Sequence, residues 1–155
     1  KSNRVTPKTL QSAGKLMNKG ARRDEIIKHL FRTRSVQTLR LWGRALARLK
    51  HEPSRKLVWT LLSQQDFMHA GAHEEDLAGV IDELIASSPD AEIVLLLYED
   101  GERNVCAVLR AEPPFDALQL TTSFRPSGTR QESRMCFVGK NLVQVEREII
   151  GRLKL

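Results

Sequence analysis

The sequence predicts an α/β fold, a mixed β-sheet flanked by helices and preceded by a three-helix linker segment. Three observations carry that expectation. Apolar residues recur at helical spacing up to about residue 50, and from Lys56 onward short apolar runs of strand length alternate with helical segments. Two of those runs are joined by Glu99-Asp100-Gly101-Glu102, a hairpin pattern. Helices around one mixed sheet bury all these apolar faces economically. The predicted division is 1–55 as basic linker helices and 56–155 as the α/β domain.

Thr6-Pro7 starts the first helix, with Thr6 as N-cap and the proline where its missing N–H costs nothing. Leu10, Ala13, Leu16 and Met17 follow at helical spacing, and Gly20 stops it. A second helix carries Ile26, Ile27, Leu30 and Phe31 on one face. A third begins near Ser35 and repeats Val36, Leu39, Trp42, Leu46 and Leu49, with Arg40, Arg44 and Arg48 as a separate stripe. These apolar faces are too small to be stable alone, so the helices are expected to pack on something else, the arginine stripe included. His51 to Arg55, with Pro53, reads as a joint.

Leu57 to Leu62 reads as a strand, followed by a Ser63-x-x-Asp66 capping pattern and a short helix ending at Gly71. Residues 74–87 form an amphipathic helix with Leu77, Val80, Ile81, Leu84 and Ile85 inward and Glu74, Glu75 and Asp76 at its positive end. Two hairpin strands run over Glu92 to Tyr98 and Asn104 to Leu109, and Pro113-Pro114 ends the second. A short helix is expected over 116–124, a strand over 134–138, and a last helix over 142–154 with Val145, Ile149, Ile150 and Leu153 inward.

The net charge of +6 conceals an asymmetry: residues 1–55 carry +12 and residues 56–155 carry −6. A polycationic head suits nucleic acid or an acidic neighbouring domain, or is a solvated helical face. The longest apolar run, Ile93 to Tyr98, is far too short to cross a bilayer, and the first residues lack a signal peptide's apolar stretch. A cytoplasmic protein without membrane contact is expected. Cys106 and Cys136 each sit in an apolar run with no ligand-type neighbours, so buried, unpaired thiols are expected. The chain begins without methionine, as a segment of something longer would.

No phosphate loop of the nucleoside-triphosphatase kind, no serine elbow and no nucleophile–base pair is present, so no catalytic residues and no metal ligands are assigned. His69 and His73 lie four apart, but Gly71 between them favours a loop over a metal pair. The segment Arg125 to Arg134 differs from the rest. It interleaves Ser127, Gly128 and Thr129 with Arg125, Arg130 and Arg134, an arrangement that can offer backbone N–H, hydroxyl and forked guanidinium donors to one phosphate. The bland alternative is a polar turn between strands. Arg110, at a strand end, either points at a ligand or pairs with Glu112.

The order of elements resembles the DHH-family phosphoesterases, in particular their nanoRNase and pAp-phosphatase branch. Thr6-Pro7-Lys8-Thr9-Leu10, Gly20-Ala21, and Phe31 to Leu49 with Ser35, Leu39, Leu41, Gly43, Arg44, Leu46 and Arg48 are similar to that family's linker helices. Trp59-Thr60, Asp66-Phe67, Gly71-Ala72 and Glu92 to Arg110 resemble its DHH-associated domain. The resemblance spans essentially the whole chain through loose motifs in series. It implies a nucleotide-holding domain, with manganese and the Asp-His-His motif in an N-terminal DHH domain of the same polypeptide. Arg110 then matches a strand-end arginine that resembles a phosphate contact. Phe124 to Met135 falls at the family's Gly-Gly-Gly-Gly-His segment, of which only Gly128 stands here; Arg125, Pro126 and Ser127 replace glycines and Thr129 replaces the histidine.

The functional expectation is a substrate-binding part of a metal-dependent phosphoesterase, gripping a nucleotide or short single-stranded nucleic acid through Arg110, Arg125, Ser127, Gly128, Thr129, Arg130 and Arg134. The alternative is a non-catalytic nucleotide- or nucleic-acid-binding regulatory module with a degenerate site. The sequence leaves the oligomeric state open, a homodimer included.

Overall fold

The computed structural model describes residues 35–153. The two helices expected within 7–34 lie outside them.

Ser35 caps helix α1 (Val36–Ala47), its hydroxyl accepting from the Thr38 amide. The helix then leads into a short strand β1 (Lys50–Glu52) and a 3-10 turn (Pro53–Arg55). Strand β2 (Leu57–Leu62) passes to helix α2 (Gln64–Ala70) through the expected capping box: Ser63 accepts from the Asp66 amide, and Asp66 accepts from the Ser63 amide. Gly71 closes α2 at φ +66°, where only a residue without Cβ is at ease. A 3-10 turn (Glu74–Asp76) opens α3 (Leu77–Ser87), and the hairpin β3 (Ile93–Glu99) and β4 (Val105–Ala111) follows. The chain ends with α4 (Ala117–Leu120), β5 (Ser127–Gly128), β6 (Glu132–Phe137) and α5 (Leu142–Arg152).

The strands form one six-stranded sheet in the order β1-β2-β3-β4-β6-β5. Only β2 and β3 run parallel, because α2 and α3 supply the crossover between them; the remaining pairs are antiparallel. Helices α1, α2 and α3 cover one face, with Leu41, Val80, Leu84 and Leu96 in its core. Helices α4 and α5 cover the other, where Leu57, Leu95, Leu97, Leu109, Val145 and Ile149 are buried. Burial on both faces explains why β3 reads as an unbroken apolar run.

The α/β class holds, and the strands and helices expected from 57 onward are present, except that the helix expected over 116–124 is only Ala117–Leu120 followed by a 3-10 turn (Thr122–Phe124), and β5 stands where a loop was expected. Helix α1 sits on the core as expected, but its buried line is Thr38, Leu41 and Ala45, and Val36 is exposed. The Thr38 hydroxyl donates to Asp76 Oδ1 at 2.8 Å, so a polar residue occupies a place that apolar counting would deny it. Arg44 and Arg48 are both bound to the carboxylate of Asp66, itself 1% exposed, which ties α1 to α2. On the opposite face, Glu146 of α5 accepts from Trp59 Nε1 and Lys50 Nζ, both at 2.7 Å. Burial works against its charge, yet these donors outweigh burial and hold its carboxyl below the usual value of 4.5.

Two expectations are corrected. The segment read as a joint, His51 to Arg55, overlaps β1, whose three residues Lys50–Glu52 pair with Trp59, Val58 and Leu57. The cysteines are not free thiols: Cys106 and Cys136 face each other across β4 and β6 with Cα atoms 4.0 Å apart and form a disulfide, with Cys136 on the exposed side. Register, which spacing along the chain does not encode, brings them together.

Asp66→Ala is expected to lower unfolding free energy by about 3 kcal/mol in urea denaturation. This is the low end for a broken buried ion pair, because both arginine heads keep some water. Alkylation of the denatured, unreduced protein should label neither cysteine, whereas labelling of both after thiol reduction is expected.

Candidate functional site

Pairing across the sheet sets three rungs on the face that α1, α2 and α3 cover. Val58, Val94, Arg110 and Glu132 form one; Thr60, Leu96, Val108, Arg134 and Ser127 the next; Leu62, Tyr98, Cys106 and Cys136 the third. Each rung is apolar or neutral under the helices and becomes polar toward β6. The helices stop short of β6, so the charged end of each rung lies at the border of the covered face.

At that border, Arg110 Nε donates to Glu132 Oε1 at 2.6 Å and its Nη1 donates to Asp82 Oδ1 at 3.0 Å. Arg134 approaches the same Glu132 from its other side, donating to Oε2 through Nε at 2.9 Å, with its Nη2 in ion-pair contact with that oxygen at 2.8 Å. One carboxylate is therefore gripped by two guanidinium groups. Burial opposes the charge of Arg110, but hydrogen bonds to Glu132 and Asp82 overcome it and raise its pKa above the ordinary guanidinium value. Glu132 is likewise held below 4.5: burial pushes it up, and the donors Arg110 and Arg134 more than reverse that.

Two grooves meet at this cluster. One, of about 460 Å³, is lined by Tyr98, Ile81, Glu74, Arg110, Glu132 and Arg134. Burial, followed by the neighbouring Glu74 charge, pushes the Tyr98 hydroxyl up to about 12, so it remains a neutral phenol. The other groove, of about 630 Å³, is lined by Val94, Arg110, Pro113, Thr129, Gln131 and Glu132. Arg110 and Glu132 belong to both and stand between them.

The seven predicted residues separate accordingly. Arg110, Arg134 and Thr129 line the grooves, and Ser127 lies on the same rung as Arg134. Arg125 and Arg130 line neither. Arg125 takes a left-handed backbone conformation at φ 52°, and Arg130, 88% exposed at the tip before β6, approaches Asp116 at 3.5 Å. The Arg125 to Arg134 segment is a hairpin: Thr129 N donates to Glu132 O at 2.8 Å, and the Thr129 hydroxyl accepts from the Gln131 and Glu132 amides at 3.2 Å. Gly128, at φ +127°, lets β5 close against β6; a Cβ there would lie 2.1 Å from Glu132 O. Its function is strand contact and, through that, the placement of Glu132.

Residue reasoning missed Glu132 and Asp82. The charge of Arg110 called for a partner, but cross-strand opposition selects Glu132 over the sequence neighbour Glu112. Among the described residues, no group of three or more His, Cys, Asp or Glu is placed to hold a metal ion. His69 instead contacts Arg44 Nη2 through Nδ1 at 2.6 Å. No described helix is long and apolar enough to cross a membrane.

No family profile matches this sequence, and neither does any curated protein. Solved structures do. An exopolyphosphatase-related protein from Bacteroides fragilis superposes with a TM-score of 0.65 at 22% identity, over 83% of this chain and 38% of that one. What is shared is the fold. A pGpG-specific phosphodiesterase from Vibrio cholerae superposes with a TM-score of 0.52 at 12% identity, over 75% of this chain and 40% of that one. The chain thus spans about two fifths of the length of either protein.

Gly128→Ala is expected to cost about 2–3 kcal/mol of stability, from positive φ and the clash with Glu132 O together. A thermal melt compared with Ser127→Ala, which adds no atom to the contact, checks it.

Proposed function

We propose that this chain is the substrate-recognition part of a phosphoesterase of the DHH type, binding the phosphate of a nucleotide or short oligonucleotide. Manganese-dependent hydrolysis then belongs to a separate DHH domain of the same polypeptide. The observation that carries the reading is the fold it shares with an exopolyphosphatase-related protein and a pGpG-specific phosphodiesterase, each more than twice as long as the matched region. The Arg110 and Arg134 pair at a groove adds the chemistry that phosphate recognition requires.

In this reading Arg110 and Arg134 bind and orient the phosphoryl oxygens, and the neighbouring grooves exclude water from the attached groups. Manganese, when bound in the other domain, supplies a metal-activated water for attack at phosphorus. The second reading, a non-catalytic nucleotide-binding regulatory module, draws on one specific observation: Glu132 already occupies both arginines.

The intact polypeptide, given manganese and a linear dinucleotide such as pGpG, is expected to hydrolyse it, with activity lost on chelation. Binding without any turnover would favour the regulatory module. In calorimetry, Arg110→Ala is expected to weaken dinucleotide binding by about 1.5–3 kcal/mol, the range for charge-assisted hydrogen bonds. Arg130→Ala, out at the hairpin tip, should change it by less than about 0.5 kcal/mol. Unchanged binding on loss of Arg110 would remove the site.

A further inference from the structure

We propose that Cys106 and Cys136 form a reversible thiol switch, in which Cys136 is the sulfur that a hydroperoxide oxidises and Cys106 is the sulfur that closes the disulfide. The switch does not depend on the phosphate-binding reading above.

The two sulfurs sit in opposite surroundings. Cys136 lies on the stretch of β6 that α1, α2 and α3 leave uncovered, and it is exposed. Arg134 stands two residues earlier on the same face and is 65% exposed. Its charge reaches the rung of Cys136, where it acts on the Tyr98 hydroxyl after burial and Glu74. A cation so placed stabilises a thiolate, the form that attacks peroxide. Cys106, by contrast, is 5% exposed, and Asp100 Oδ2 lies 4.0 Å from its Sγ. Burial and a neighbouring carboxylate both favour the protonated thiol, which peroxide attacks poorly. An accessible sulfur directly opposite a shielded one is the arrangement of a sensing cysteine and its resolving partner.

The chemistry balances with a hydroperoxide as oxidant. The Cys136 thiolate attacks the terminal peroxide oxygen, the O–O bond breaks, an alcohol or water leaves with a proton, and the sulfur becomes a sulfenic acid. Cys106 then attacks that sulfur, and the S–O bond breaks. The departing hydroxide takes the Cys106 proton, which Asp100 Oδ2 is placed to relay, and leaves as water. The structure holds the resulting disulfide. A dithiol reverses the change by attacking the exposed Cys136 sulfur, with Cys106 as the leaving thiol; its second thiol then frees Cys136, and the dithiol ends as a disulfide.

The bond fastens β6 to β4 two residues from Arg134 and closes a loop of 30 positions. Its reduction removes that tie and leaves only backbone pairing at this end of the strands, so redox state sets how firmly the sheet border is held.

The full chain, reduced with dithiothreitol and then freed of it, tests the switch by a count of free thiols after addition of equimolar hydrogen peroxide. Wild type is expected to lose both thiols together, about three- to fivefold faster than free cysteine; a thiolate fraction raised about tenfold and a partly lower nucleophilicity combine to that gain. In Cys106→Ser, dimedone should label the sulfenic acid on Cys136, and in Cys136→Ser it should not label Cys106. The reduced wild type is expected to melt about 10 °C below the oxidised protein, as loss of a cross-link over such a loop predicts. Thiol loss no faster than that of free cysteine, which wild type reports without any variant, would overturn the sensing role. Dimedone on Cys106 would overturn the division of roles. A native disulfide that resists dithiothreitol would overturn reversibility, and an unchanged melt would overturn the effect on the sheet border.

Discussion

The antiparallel register between β4 and β6 is the constraint on which the rest depends. It sets Arg110 opposite Glu132, Val108 opposite Arg134 and Cys106 opposite Cys136. A slip of β6 by one residue would turn Glu132 and Arg134 to the opposite face, against the core of α4 and α5, and leave Arg110 without them. Several features oppose that slip. The disulfide ties the far end of the pair, and β5 folds over the near end with Gly128 tight against the Glu132 backbone. Met135, on the other face, is buried in the second core and anchors the alternation. The fold therefore fixes the arginine–carboxylate cluster through backbone pairing.

Charge balance then determines what kind of site it is. An unpaired arginine half-buried at a strand end would be costly, and Asp82 and Glu132 remove that cost by ligating it. With Arg134 included, two positive groups meet two negative ones, so the cluster exerts little long-range pull on anions. The basic first third of the chain fits the same pattern where it is described: Arg44 and Arg48 are held by buried Asp66 and serve the packing of α1 on α2. The +12 in residues 1–55 thus overstates the charge available for steering, since at least two of those cations are already engaged.

What was legible in the sequence was whatever depends on local periodicity. The strand Leu57–Leu62, the box at Ser63 and Asp66, the inward line of α3 and the hairpin of β3 and β4 all follow from spacing within a dozen residues. Strands β1 and β5 were not legible, because three and two residues respectively have no period to detect and exist only through their partners. The cysteine pair and the Arg110–Glu132 contact failed for a related reason. Both are cross-strand neighbours separated by 30 and 22 positions, fixed by how β4 and β6 align. The arginine-rich segment was recognised as unusual, yet its guanidinium groups separate: alternation directs Arg134 onto the sheet face, while Arg125 and Arg130 sit in turns.

The altered glycine segment now has a physical account. Where the resembling family runs glycines, an exposed main chain can approach a ligand closely, but here the remaining Gly128 is consumed by contact between two strands of the protein itself. The neighbouring donors are also committed, since the Thr129 amide and hydroxyl both close the hairpin. A backbone so engaged cannot also cradle a phosphate without opening β5 from β6. What this surface offers instead is side chains that project from the sheet, among which Arg110 and Arg134 converge on Glu132. Arg125, Pro126 and Ser127 lead into the strand β5 that closes on β6, and Glu132 between Arg110 and Arg134 is placed by that same closure.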